Sequence, residues 1–135
     1  MTANDVLQVS AGGAKSAAIS NLTVRLLSQY TGRGPTKART LFNTDMVTVV
    51  LQDTLTKGEI TLVHKGHREK VLDTRKTFQE VMGDELTAGV EAVTGRKVLA
   101  FLSANHVEPD IAVETFILVP IEDGADGSSN GSTEA

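Results

Sequence analysis

Between Ala14 and Thr31 the apolar residues Ile19, Leu22, Leu26, Leu27 and Tyr30 fall at i, i+3, i+7, i+8 and i+11. That spacing places them on one stripe of a helix. Gly32 is a natural stop for it, and Pro35 prevents its continuation. The period then shortens. Lys37–Phe42 and Met46–Gln52 read as two strands of a hairpin, joined by the turn chemistry of Asn43, Thr44 and Asp45. The second strand is the stronger, because Val47, Thr48, Val49 and Val50 are β-branched and suit a pleated surface.

Thr56, followed three residues later by Glu59, forms a capping box, in which each side chain satisfies an orphan amide of the other residue. It predicts a short helix from about Lys57 to Lys65, interrupted by Gly66. From His67 to Thr94 the pattern is helical again, with Val71, Phe78, Met82, Leu86, Val90 and Val93 on a recurring stripe and Gly95 as the stop. At 1.5 Å per residue such a helix spans about 42 Å, long for a domain of this size. Either Gly83 marks a bend, or one end overhangs and packs on another subunit.

Arg96–Ser103 and Ile111–Val119 make a second hairpin around the polar turn Ala104–Asp110. In its first strand Val98, Ala100 and Leu102 share one face, and Leu99 and Phe101 the other. Both faces are apolar, which predicts cover on both sides. The order α-ββ-αα-ββ predicts an α+β domain, a four-stranded, mostly antiparallel sheet with helices packed on one face. Its second face finds no cover within the chain, so we expect a homodimer. No internal repeat of 20–50 residues stands out.

Composition narrows the picture. The 135 residues suit one domain, expected over 14–120 after a flexible leader at 1–13. The chain is 40% apolar but only 4% aromatic, so the core must be built from Val, Leu, Ile and Ala. It holds no cysteine, which removes disulfides, thiolate zinc sites and cysteine nucleophiles. Four acids and no base fall in Glu122–Ala135; without them thirteen acids face thirteen bases. The Gly/Ser-rich stretch 121–135 is therefore expected to be a disordered acidic tail. A net charge of −4 speaks against a nucleic-acid partner. No run is long and apolar enough to insert into a membrane, and the first residues lack the pattern of a secretory signal. We therefore expect a cytoplasmic location.

Three constellations could carry chemistry. Gly32, Arg33, Gly34, Pro35, Thr36, Lys37, Ala38 and Arg39 set two glycines and three bases just after a helix, where amides and charge could meet an anion. The bland reading is a helix stop and a tight turn with solvated bases. No strand precedes this segment and no Gly-Lys-Ser/Thr follows, so it is neither a Walker loop nor a dinucleotide fingerprint. His106, between Asn105 and the carboxylates of Glu108 and Asp110, could shuttle a proton or hold a metal, but Pro and Asn/Asp are also what a hairpin turn needs. His64 and His67 lack a third ligand and read as exposed residues at a helix junction. No catalytic constellation emerges, and no cofactor or metal is expected.

The runs GRGPTKARTLFNTDMVTVVLQDTLTKGE and TGRKVLAFLSANHVEPDIAVETFILVP resemble the MpsC-like family, named for a component of a sodium-translocating, membrane-potential-generating system. Gly32, Gly34 and Pro35 match its Gly-x-Gly-Pro turn, and Arg39 a basic position after it. Asp45-Met46, Leu55-Thr56 with Glu59, Thr94-Gly95 and Lys97-Val98 match further positions, and His106, Pro109 and Asp110 resemble the His-x-x-Pro-Asp turn of part of the family. Gly58 departs from the alanine of many relatives. The resemblance covers roughly residues 14–120 and brings no catalytic residue with it. It implies a non-enzymatic accessory or regulatory protein, peripheral to a membrane ion or inorganic-carbon transport system. The alternative is a sensor of a small anion or nucleotide, using Gly32, Arg33, Gly34, Lys37 and Arg39, with Arg96 and His106 nearby. An enzyme would require His106 to meet another titratable group in a pocket.

Overall fold

A computed structural model describes residues 11–121; the expected leader before residue 11 and the expected acidic tail after residue 121 lie outside the described residues. Across the described residues, seven elements follow one another. They are α1 (Ala11–Thr31), β1 (Lys37–Asn43), β2 (Met46–Gln52), α2 (Lys57–His64), α3 (Arg68–Thr94), β3 (Val98–His106) and β4 (Ile111–Leu118). The order is the α-ββ-αα-ββ expected from the periodicities, and α1 starts three residues earlier than its apolar stripe indicated.

Local chemistry sets most of the boundaries. Gly32, at φ +86°, donates its amide to the Ser28 carbonyl at 2.9 Å and closes α1. The capping box opens α2: the Thr56 hydroxyl accepts from the Glu59 amide at 3.2 Å, and the Glu59 carboxylate accepts from the Thr56 amide at 2.8 Å. Gly95 ends α3 in the left-handed region, its amide on the Glu91 carbonyl.

The four strands form one antiparallel sheet in the order β1-β2-β4-β3. Each hairpin pairs with itself, and β2 and β4 join the two at the centre. α1 and α3 lie across one face. Ile19, Leu26 and Leu27 of α1 and Met82, Leu86 and Val90 of α3 meet Val47, Val49, Leu51, Ala112, Phe116 and Leu118 of the sheet in the main core. The two helices touch closely at Gly89, where a Cβ would stand 2.2 Å from Cδ2 of Leu22. Phe101 and Phe116 stack with ring centroids 5.0 Å apart, a pairing the low aromatic content made hard to foresee.

α3 is a single helix through Gly83. Val71 is buried with Leu55 and Val107 in a second, smaller core, against which Val63 of α2 and Leu72 also pack. One expectation is corrected, the bounds of the third strand. The strand β3 begins at Val98 rather than Arg96 and extends to His106, leaving only four residues in the turn. A bulge between Val98 and Ala100 also breaks its alternation. Val98 and Phe101 therefore pack on the core, while Leu99, Ala100 and Leu102 are all exposed.

The register defines the face without helices. Its rows across the sheet are Asn43–Met46–Ile117–Ala100, Leu41–Thr48–Thr115–Leu102, Arg39–Val50–Val113–Ala104 and Lys37–Gln52–Ile111–His106. No described element covers them. Leu41, Met46 and Leu102 stand exposed.

Candidate functional site

The seven residues singled out from the sequence do not converge. Gly32, Arg33 and Gly34 form a loop held to the segment after β2. Arg33 Nε donates to the Asp53 carbonyl at 2.9 Å, the Thr36 hydroxyl donates to the Asp53 carboxylate, and the Thr36 amide donates to the Gln52 carbonyl at 3.0 Å. Asp53 itself sits at φ +60°. A Cβ on Gly34 would lie 2.6 Å from the Ser28 hydroxyl, so glycine is needed for the loop to fold back on α1. The loop is thus a brace in which Arg33 is already engaged.

Lys37 and Arg39 differ. They point outward from β1, both exposed, and neither makes an ion pair among the described residues. His106 shares a row with Lys37 but on the opposite edge strand, about 14 Å away at ordinary strand spacing. Its Nδ1 lies 2.7 Å from the Pro109 carbonyl, to which it can donate within the turn. Arg96 lies at the other end of the sheet, about 20 Å along β1 from Lys37. There it donates to the Thr44 carbonyl at 2.8 Å, the Asp45 carboxylate at 2.6 Å and the Val119 carbonyl at 2.9 Å. Arg96 therefore staples the β1–β2 turn to the end of β4, a structural task. Asp110 is likewise engaged: its carboxylate accepts from the Thr54 hydroxyl at 3.1 Å and the Leu55 amide at 2.8 Å, ordering the approach to α2.

The most unusual chemistry lies where sequence reasoning did not look, under the helices. Glu114 occupies the middle of β4, between Val49 and Ser103 on the neighbouring strands, and is only 1% exposed. Its carboxylate accepts from the Ser103 hydroxyl and, at 3.4 Å, from Gln79 Nε2. One helical turn before Gln79, buried Arg75 donates to the Thr54 carbonyl at 3.1 Å and reaches the Glu59 carboxylate at 3.4 Å. Burial pushes the Glu114 carboxyl up to about 7; the donors Ser103 and Gln79 and the charge of Arg75 pull the other way without cancelling it. Beside Ser103 on the same face, Asn105 keeps its side-chain oxygen buried and without a protein partner. The cluster joins α2, α3, β3 and β4. Glu114 can exchange a proton near neutrality.

The sequence did carry a signal for this cluster. Arg75 and Gln79 extend the Met82, Leu86, Val90 spine backwards in steps of three and four residues toward Val71, and Glu114 alternates with Ala112, Phe116 and Leu118. Polar identity hid positions that periodicity placed inside.

A shallow depression of about 360 Å³ lies on the outer side of α3, lined by Glu69, Lys70, Leu72, Asp73 and Lys76. These five residues come from one helix and include none of the candidates above. Among the described residues, no three His, Asp or Glu side chains come together as a metal-holding set. No helix among them is long and apolar enough to cross a membrane.

The family model described as "Na+-translocating membrane potential-generating system (MpsC)" matches residues 12–119, which take in every element of the fold. Neither a curated protein nor a solved structure gives a match. The chain belongs to the MpsC family, which is linked to a membrane system that translocates sodium.

Proposed function

We propose that this protein is a non-enzymatic accessory or regulatory component of a membrane sodium-transport system, working from the cytoplasmic side as a peripheral piece. The family description supports the connection to transport. The absence of a membrane-crossing helix among the described residues is compatible with a peripheral role. The observation that carries the reading is the open sheet face, whose central rows are apolar apart from Arg39 and a pair of threonines. Such a surface suits docking rather than turnover, since apolar surface held in water gains free energy when a partner covers it. Meanwhile Arg33, Arg96 and Asp110 are tied into the fold, which leaves few positioned groups for chemistry.

The test is functional. Everted membrane vesicles from cells lacking this chain should build a smaller sodium-dependent potential, read with a voltage-sensitive dye, and purified chain should restore it. An unchanged potential after deletion would overturn the transport reading.

A second reading, an anion sensor at the Gly32–Arg39 segment, is favoured by one observation: Lys37 and Arg39 are exposed and outside any ion pair among the described residues. Titration with phosphate, sulfate and a nucleotide, followed by NMR, should then move amide resonances of this segment. Lys37→Ala with Arg39→Ala should abolish the shifts while leaving the fold intact. Arg33→Ala is the poorer probe, because it also loosens the brace on Asp53.

A further inference from the structure

We infer that the open face of the sheet is the contact between two copies of this chain, stacked as a two-layer sandwich of sheets with the helices outward. This assigns to a second copy the same open face that carries the transport reading; the vesicle potential tests that reading, and sedimentation tests this one.

The face is prepared for desolvation. Three of its four rows are dominated by Leu41, Met46, Val50, Ala100, Leu102, Ala104, Val113 and Ile117. The two polar side chains at its centre, Thr48 and Thr115, already bond to each other across β2 and β4 at 3.1 Å. That bond satisfies one of the two O–H donors, so the penalty for burying the pair is reduced. The groups that would resist burial are confined to the margin: Lys37, Gln52 and His106 end the face on one side, Asn43 occupies a corner, and Arg39 lies on an edge strand. An apolar centre inside a polar rim is the anatomy of a protein interface.

Symmetry allows the occupant to be a second copy. The face carries Lys37, Arg39 and His106 and no acid. A two-fold axis parallel to the strands lays β1 over β3 of the other copy, so Lys37 meets His106 and Arg39 meets Ala104. An in-plane axis across the strands reverses the rows instead, bringing Lys37 over Asn43 and Arg39 over Leu41. Neither arrangement stacks a base on its own copy, so the patch is compatible with itself as an isologous contact requires.

Size sets the strength. Four strands at about 4.8 Å and seven residues at about 3.4 Å give a projected area of about 450 Å² per copy. Side chains standing on a sheet expose more than their projection. Two copies therefore approach the lower end of specific interfaces, about 1,200 Å² in total. Area alone does not fix affinity, but at this scale we expect a dimer that dissociates on dilution.

Sedimentation velocity on the full chain over a hundredfold concentration range tests the inference. The mass should move from 14.3 kDa toward twice that value as concentration rises. Leu41→Glu with Leu102→Glu should hold it at the single-chain mass, while circular dichroism shows the wild-type fold. Both positions are about half exposed, so the monomer tolerates them. Should that pair disturb the fold, Met46→Glu, at an exposed position of the same face, should still weaken association at least tenfold. A wild-type chain that stays single at millimolar concentration would overturn the inference and give this face to a different protein. A dimer that persists unchanged in folded variants would overturn it too, by placing the contact elsewhere.

Discussion

The two faces of this sheet each depart from the usual segregation of polarity: the helix-covered face, apolar over most of its area, buries a polar cluster at one part, and the open face keeps an apolar centre in water. The side covered by helices holds Glu114, Ser103 and Asn105 and receives Arg75 and Gln79 from α3. The side open to water presents Leu41, Val50, Leu102, Val113 and Ile117. A buried charge is retained only when partners hold it, and an apolar surface in water gains when something covers it. The covered face is thus complete within one chain but depends on a polar network. The open face is chemically simple but has no internal partner.

The largest effect should come from cutting the network on the covered side. Arg75 is 2% exposed and is the link between α3, Glu59 and the Thr54 carbonyl. Arg75→Ala removes the cation and leaves both acceptors behind. Loss of one partner of a buried pair costs about 4 kcal/mol, which urea denaturation should show as a large drop in midpoint. Arg75→Ala together with Glu59→Gln should recover part of the loss, because the surplus charge is gone.

Glu114 should make stability depend on pH in the direction opposite to most acids. Its carboxyl moves from an unfolded value of 4.5 to about 7 in the fold. Between those values the native state holds the proton that the unfolded state has released. Stability is therefore greatest below about pH 4.5 as far as this group is concerned, declines as pH rises to about 7, and is flat above. At about 1.36 kcal/mol per unit the full effect is about 3 kcal/mol. Glu114→Gln should flatten the profile over that interval. Urea midpoints at pH 5 and pH 8 check it, and a wild-type midpoint that rose across this range would contradict the assignment.

These two residues also show where the sequence was legible and where it was not. Capping chemistry is local, so Thr56, Glu59 and Gly95 announced their boundaries directly. Val47–Val50 announced β2 through side-chain shape. Arg75, Gln79 and Glu114 occupy interior positions by period, yet their burial depends on partners supplied by β3, β4 and the approach to α2, which no local window contains. The bulge at Leu99 is equally non-local, since it arises from the register between β3 and β4. The candidate binding residues failed to converge for the same reason: Arg96 and His106 flank one strand in sequence but lie at opposite ends of it.

A smaller effect is expected at the helix pair that roofs the covered face. Gly89→Ala gains about 1 kcal/mol of helix propensity but drives a methyl against Leu22. Overpacking costs about 1–3 kcal/mol, so the net change should be a destabilisation of about 1 kcal/mol. Gly89→Ala combined with Leu22→Ala should remove the clash and leave only the loss of the leucine.

On the open face, Leu41 and Leu102 are only about half exposed, so Leu41→Glu with Leu102→Glu should change the stability of the monomer by about 1 kcal/mol. What the pair should also change is how stability responds to concentration. Folding that is linked to association raises the wild-type melting temperature as protein is added, by mass action. The variant has no association to link and should melt at one temperature from micromolar to millimolar concentration. Differential scanning calorimetry at several concentrations separates the two. A wild-type melt that ignored concentration would mean that the open face tolerates water in a lone chain, and the contrast between the faces would then be one of tolerated exposure rather than of a missing partner.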